Sequence, residues 1–380
     1  MSCDLFVFAG EASADLHGEN LLHELKTLHP DLKIAGVGGP RMRQCGMDCI
    51  LPMEAFQVMG FVDVFLCLPK LIKQFYQVIR AIEKLQPKVV LTIDYPGFNL
   101  RLVRKLRKRG YVGKLCHYIC PSVWAWGKRR IPLMAKNLDL LLTILPFEKE
   151  IFKETSLPVA YVGHPLVERL KNHVYSPFSL PDNKRIIALF PGSRQKEIER
   201  NLPNFLNIVR SLSEEYCIVV SVADPFSKPK IFQMISAAGL TPGKEVHFVA
   251  SQFTYELMHA AYLAIAKSGT VTLELALHRT PTVVTYAISP LDLFIARDLL
   301  RIRLPYYSLP NIIAKKAIFP ELFGPNFTLE NLKKHVQELL TDVGHQAYKQ
   351  RCDEVISLLG DQSASKQAAQ HINKILGSKA

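Results

Sequence analysis

Two short segments in the second half of this chain have the residue types and spacing to hold an anion. In Ala264-Ile-Ala-Lys-Ser-Gly-Thr-Val-Thr-Leu-Glu274, an apolar run ends at Ser268, Gly269 and Thr270 and a helical pattern begins. Small residues there leave the backbone N–H groups of a helix N-terminus open to phosphate. Glu274 lies four residues past Thr270, one turn into the helix, where a carboxylate can hold a ribose hydroxyl. Ile186-Ile-Ala-Leu-Phe-Pro-Gly-Ser-Arg194 repeats the device: a strand-like run meets Gly192 and Ser193, and Arg194 can neutralise phosphate charge. A cation at a helix start opposes the helix dipole, and an anionic ligand explains Arg194 better than a bare surface position. Either loop alone is ordinary turn chemistry; the pair points to a nucleotide diphosphate.

The first half offers acid–base candidates. Asp94 follows Val89-Val-Leu-Thr-Ile93, at the end of an apolar strand, where it can take a proton from an attacking hydroxyl or cap the turn beside Pro96. Glu11, Ser13 and Asp15 follow the first apolar run and suit either sugar hydroxyls or a helix cap. His17, on the same loop, is a rival base to Asp94. Asn311, after Ser308-Leu-Pro310, fits diphosphate or sugar, or a turn. Trp124 and Trp126 precede Lys128, Arg129 and Arg130, an arrangement that reads as a packed loop before it reads as a base-stacking platform.

These groups need a scaffold. The chain has 380 residues, enough for two domains, and 48% hydrophobic content fills two cores. A formal charge of +13 favours an acidic partner: nucleic acid, an anionic membrane or a phosphorylated substrate. Asp4 leads straight into Leu5-Phe-Val-Phe8 without a basic n-region, so no signal peptide is expected. No apolar run is long enough to span a bilayer. The eight cysteines include no CxxC pair, which argues against zinc and for reduced thiols.

Val-, Ile- and Leu-rich runs at 4–9, 34–37, 89–93, 115–119, 138–144 and 159–162 read as parallel strands, followed by a second series at 186–190, 218–222, 246–249, 263–266 and 282–286. Helical patterns lie between them, at 18–28, 70–85, 100–109, 202–214, 230–238 and 255–261. Repeated βα units predict α/β architecture: two Rossmann-like, doubly wound parallel-sheet domains facing across a cleft, with a helical C-terminal tail. Composition around 172–183 is linker-like, which sets the divisions at 1–172, 184–328 and 329–380. His164-Pro165 is expected to mark the crossover between domains. Residues 58–72 are unusually apolar, with Val62, Val64, Phe65, Leu68, Leu71 and Ile72 beside Lys70, Lys73 and Arg80, and a further basic helix follows at 101–109. That composition suits a membrane surface or a buried helix.

Gly10-Glu-Ala-Ser-Ala-Asp15, Gly36-Val-Gly-Gly-Pro-Arg-Met42, Asp94-Tyr-Pro-Gly-Phe-Asn99, Pro121-Ser-Val-Trp-Ala-Trp126, Leu145-Pro-Phe-Glu148, Val162-Gly-His-Pro-Leu166, Pro191-Gly-Ser-Arg194, Ser268-Gly-Thr270 with Glu274, and Ser308-Leu-Pro-Asn311 occur in that order. Together they resemble the lipid-A-disaccharide synthases, GT-B glycosyltransferases, over residues 5–325. The resemblance implies an inverting transfer from UDP-linked 2,3-diacylglucosamine to the 6-hydroxyl of 2,3-diacylglucosamine 1-phosphate, releasing UDP. It implies Asp94 as base, Arg194, Ser193, Ser268, Gly269, Thr270, Glu274 and Asn311 around UDP and sugar, and no metal or other cofactor. It also implies a peripheral location on the cytoplasmic face of the inner membrane and a dimer; the C-terminal helices of 329–380 are expected either to pack back on the first domain or to be exchanged in that dimer. Relatives often carry a second Asp where Gly97 stands and Gly where Lys315 stands. Another GT-B-like enzyme, such as a UDP-N-acetylglucosamine 2-epimerase, is the enzymatic alternative. A basic nucleic-acid-binding protein is the other, weakened by the absence of a nucleic-acid motif. No G-x-G-x-x-G follows the first strand, which weighs against a dinucleotide oxidoreductase.

Overall fold

Each of the eleven apolar runs becomes a strand, and each strand pairs with parallel neighbours. The computed structural model describes residues 3–56, 61–177, 184–212, 215–289, 293–294 and 304–377, with the helical backbone alone for 61–68. The chain divides into two units, 1–171 with 361–380, and 172–360.

In the first unit, β1 (Leu5–Ala9), β2 (Ile34–Gly38), β3 (Asp48–Pro52), β4 (Val89–Ile93), β5 (Lys114–Tyr118), β6 (Leu140–Thr143) and β7 (Val159–Tyr161) form one sheet in the order β3-β2-β1-β4-β5-β6-β7. β1 and β4 are buried throughout because both faces are covered. Side chains alternate along a strand. Leu5, Val7 and Ala9 therefore meet Leu21, Leu22 and Leu25 of helix Ala12–Leu28, while Phe6 and Phe8 meet Val78, Ile79 and Ile82 of helix Phe61–Leu85 and Leu102, Val103 and Leu106 of helix Pro96–Lys108.

The second unit contains β8 (Arg185–Phe190), β9 (Tyr216–Val222), β10 (Val246–Ala250), β11 (Ala261–Lys267), β12 (Thr282–Tyr286) and β13 (Glu321–Phe323), in the order β10-β9-β8-β11-β12-β13. Chain order reverses between β1 and β4 in one sheet and between β8 and β11 in the other. Loops leaving such a strand pair diverge and open a crevice at the carboxyl ends. The segments flagged for chemistry lie there: Gly10-Glu11 and Asp94-Tyr95 in one unit, 191–194 and 268–269 in the other.

The structure differs from the sequence reading in three places. β3 and β13 were not expected; both are sheet-edge strands, short and only partly buried, so neither shows a continuous apolar run. Helix Phe61–Leu85 starts nine residues before the expected 70, its backbone continuing through Pro69. The segment 329–380 is not one piece. Helices Leu329–Leu340 and Asp342–Leu359 belong to the second unit, whereas Ala364–Gly377 packs on the first. Ala368, Ala369 and Ile372 supply its buried face, and Glu168 accepts the backbone N–H of Ser365 at its start. Burial of Ile372 contributes about 1.5–3 kcal/mol.

Candidate functional site

At the β8/β11 crevice the two anion-directed loops line one cavity of about 430 Å³. Gly192, Ser193, Arg194, Ser268, Gly269, Thr270 and Glu274 all contribute, joined by Glu197, Ser221, Thr254 and Lys267. Gly192 has φ +127, and a Cβ there would lie 2.7 Å from Cβ of Glu197. The loop therefore needs glycine on conformational and steric grounds. Gly269 precedes helix Thr270–Leu277, and nothing lies within 4 Å of where its Cβ would be. First-turn amides of such a helix have no intrahelical acceptor.

Glu197 organises the charged side of the cavity. Its Oε1 accepts from Nη1 of Arg194 at 3.0 Å and from Nζ of Lys267 at 3.1 Å, while its Oε2 accepts the Ser193 N–H at 3.2 Å. Burial raises the Glu197 pKa, but the hydrogen bond and charge of Lys267, with Arg194 and the Ser193 amide, outweigh it and hold the carboxyl below its ordinary range. Arg194 is 80% exposed, Lys267 only 17%. Glu274 accepts the Tyr255 hydroxyl at 3.0 Å, which orients its carboxylate.

Asn311 does not line this cavity. Its Nδ2 donates to the Phe319 carbonyl at 2.8 Å and to Glu321 at 2.9 Å, and its Oδ1 accepts the N–H groups of Ile318 and Phe319, both at 2.9 Å. A carboxamide offers two donors and two acceptor sites, and all four are spent. The expected ligand role of Asn311 is therefore corrected to a structural one. Glu321 also accepts the N–H groups of Tyr307 and Ser308 and the Ser308 hydroxyl. This clamp fixes the turn whose Tyr307 carbonyl accepts the Ser268 hydroxyl at 3.1 Å. Lys315 closes helix Leu309–Ala314 at φ 54, a left-handed conformation that glycine adopts without the strain a side chain brings.

The β1/β4 crevice is built differently. Asp94 and Tyr95 both adopt left-handed backbone conformations, with φ 47 and 46. Two adjacent non-glycine residues there store strain that the surroundings must hold. The Asp94 N–H donates to the Tyr118 carbonyl, Nδ2 of Asn99 donates to the Asp94 and Ile93 carbonyls, and Pro96 begins the following helix. Phe98 stacks on Phe8 at 4.6 Å and brings Tyr95 into the same cluster. Burial raises the Asp94 carboxyl above its ordinary range, only partly offset by the Tyr95 amide. Desolvation, then the Asp94 charge, raises Glu11 as well.

Glu11 is the N-cap of helix Ala12–Leu28, but its side chain makes no capping bond; Ser13 is exposed in the first turn. Asp15 turns away from the sugar role considered for it. Its carboxylate accepts the N–H groups of Gly39, Arg41 and Met42, and it is buried as the anchor of helix Pro40–Gln44. His17 packs edge-on against Tyr118, and burial with the Arg169 charge pushes its imidazole down to about 4. It is a weaker proton acceptor than an ordinary histidine, whereas Asp94 is stronger than an ordinary aspartate. His164 is buried and its Nδ1 accepts the Leu166 N–H, capping helix Pro165–Lys171. The division between units falls after that helix, so His164-Pro165 does not mark the crossover.

Trp124 packs edge-on against Phe147, while Trp126 is exposed beneath the Arg130 guanidinium. On helix Phe61–Leu85, Leu71 is half-buried, and Ile72 and Tyr76 are exposed. The side chains of Val62, Val64, Phe65 and Leu68 lie outside the described residues, as do residues 57–60. Among the described residues no helix is long and apolar enough to cross a membrane.

Sequence reasoning assigned no role to Glu197, Lys267, Tyr255 or Asn99, although Lys267 and Asn99 lie within motifs it singled out. Signals for two were present: Lys267 immediately precedes Ser268, and Glu197 is the acid three residues beyond Arg194 in a helical first turn.

With the geometry in place, comparison with known proteins is specific. The family model described as lipid-A-disaccharide synthetase matches residues 5–375. A lipid-A-disaccharide synthase of Chlamydia trachomatis serovar D is 42% identical over 371 residues, covering 95% of this chain and 60% of the relative. One from Granulibacter bethesdensis is 35% identical over 329 residues, covering 85% and 82%. The chain thus spans about three fifths of the length of the chlamydial relative. The solved glycotransferase of kitacinnamycin superposes with a TM-score of 0.66 at 12% identity, over 99% of this chain and 100% of that one, which shows the GT-B fold alone. Motif order, two parallel-sheet units and a match over nearly the whole length agree: the chain belongs to the lipid-A-disaccharide synthase family.

Proposed function

We propose that this protein transfers 2,3-diacylglucosamine from its UDP-linked form to the 6-hydroxyl of 2,3-diacylglucosamine 1-phosphate, forming the β-1,6 disaccharide 1-phosphate and UDP. The observation that carries this reading is the β8/β11 cavity, which gathers Ser193, Arg194, the Ser268–Thr270 helix start and Glu274 at one switch point, within a chain of this family. In this reading Glu274 holds the ribose. Arg194 and the backbone amides take the charge that develops on the leaving diphosphate. Asp94 accepts the proton of the attacking hydroxyl, its raised pKa making it a better base. Glu11 and Ser13 are candidates for sugar hydroxyls beside it. The acceptor oxygen bonds to the anomeric carbon as the bond to UDP breaks, so the anomeric configuration inverts.

Acylated substrates reside in a bilayer. Exposed Ile72 and Tyr76, with Lys70, Lys73 and Arg80 on the same helix, favour peripheral attachment to the cytoplasmic face of the inner membrane. Ile72→Ser with Tyr76→Ser is expected to lower co-sedimentation with anionic liposomes and to spare UDP binding; unchanged sedimentation counts against this surface.

The transfer itself is tested by UDP release from UDP-diacylglucosamine in detergent, with and without the acceptor. Acceptor-dependent release with a disaccharide product supports the reading. Folded protein that releases no UDP overturns it and returns the site to other UDP-sugar chemistry.

A further inference from the structure

Two cations share one carboxylate in the β8/β11 cavity, and only one of them belongs to the motif that drew attention to the site. Lys267 is the last residue of β11, directly before Ser268. Its Nζ lies 3.1 Å from Oε1 of Glu197 and 5.2 Å from the centre of the Tyr286 ring. Arg194 reaches the same oxygen at 3.0 Å from the other loop. At this corner two positive charges share one carboxylate, while the cavity's other carboxylate, Glu274, accepts the Tyr255 hydroxyl. A cation that is only 17% exposed loses much of its hydration, and half of a shared carboxylate compensates that loss poorly. An anion bound beside it gives Lys267 a partner that it does not share with Arg194. Lys267 is also far less exposed than Arg194, so its charge is screened less by solvent and its position is better defined.

We propose that Lys267 is a second diphosphate-binding cation, held toward the cavity by Glu197 and by the face of Tyr286. Glu197 serves as its anchor: the carboxylate is itself fixed by the Ser193 amide and by Gly192, whose missing Cβ leaves room for it. This inference rests on the cavity being a UDP-sugar site, and it extends that reading to a residue outside the Arg194 loop. The bland alternative makes Lys267 a structural counter-ion of Glu197 with no ligand contact.

Calorimetric titration of UDP and of uridine into the full chain separates the two. Lys267→Met is expected to weaken UDP by about tenfold or more, the size of a lost charge-assisted hydrogen bond, and to change uridine by less than about twofold. Lys267→Arg is expected to recover most of the UDP affinity. Lys267→Met leaves Glu197 with a single cation, so Lys267→Met with Glu197→Gln, which removes both charges, provides a second folded background; the same selective loss of UDP is expected there. Unchanged UDP affinity in both folded variants, or equal losses for UDP and uridine, overturns the role of Lys267. If the wild-type protein binds neither UDP nor uridine, the nucleotide reading itself fails and takes this inference with it. Tight wild-type UDP binding that Lys267→Met preserves defeats the inference alone.

Discussion

The two switch-point crevices share a topology and differ in electrostatics. At β1/β4, Asp94 and Glu11 stand near one another, and desolvation, with mutual repulsion at Glu11, pushes both carboxyls upward. At β8/β11, Glu197 stands between Lys267 and Arg194 and is held down. One arrangement makes its carboxylates better proton acceptors than ordinary ones; the other presents fixed positive charge to an anion. The fold determines where loops open, and the local charge partners determine what each opening does. Backbone chemistry follows the same division. The first crevice holds two strained left-handed residues with Asn99 and an aromatic cluster, and the second uses glycine, which adopts its φ without that cost.

The largest effect that tests this contrast in the second unit is Arg194→Ala. We expect it to remove ~2–4 kcal/mol of transition-state stabilisation, in line with the loss of a donor aimed at developing negative charge. Steady-state transfer kinetics measure this, and near-normal kcat/KM would remove Arg194 from the anion site.

A second test sharpens the behaviour of unpaired carboxylates in the first unit. Glu148 is 1% exposed, and burial pushes it up to about 8 although it accepts the Leu145 N–H and lies beside the Trp124 indole. Below the ordinary carboxylate range the folded and unfolded chains both carry the proton. As pH rises toward 8 the unfolded chain has lost it and the folded chain has not, so stability falls across that window. Glu148→Gln cannot ionise. It should be more stable than the wild type at pH 8 by on the order of 2–4 kcal/mol, with a higher melting temperature, and match it near pH 4.5. Thermal unfolding at the two pH values decides this; an equal difference at both would show that Glu148 stays charged.

The sheets were legible because central parallel strands must be apolar on both faces, as Leu5–Ala9 and Val89–Ile93 are. The edge strands Asp48–Pro52 and Glu321–Phe323 bury less and each begins with an acidic residue, so hydrophobicity does not mark them. The loop residues around Arg194 and Ser268 were legible because small residues after a strand leave amides open. Asn311 shows where such reading stops: a carboxamide after Pro310 suits a ligand or a turn equally, and only Glu321 and Phe319 reveal which groups consume it. Asp15 is the same case, spent on Gly39, Arg41 and Met42 some 24–27 residues away in sequence. Glu197 and Lys267 were hidden for a different reason, since their pairing spans 70 residues and two strands that adjoin only in the folded sheet.

The division of labour between the two crevices is tested most directly by Asp94→Asn, with its UDP affinity measured by calorimetry beside its single-turnover transfer rate. The account predicts UDP binding within about twofold of wild type and transfer slower by about 10²–10⁴-fold, because Asn keeps the shape of Asp94 and cannot take the proton. In the wild type the same group should give an acidic limb in the pH profile, with activity falling as pH drops through a pKa above the ordinary carboxylate range. Transfer retained by Asp94→Asn, or UDP affinity lost in step with transfer, would contradict the assignment of the base to the first crevice and the anion to the second.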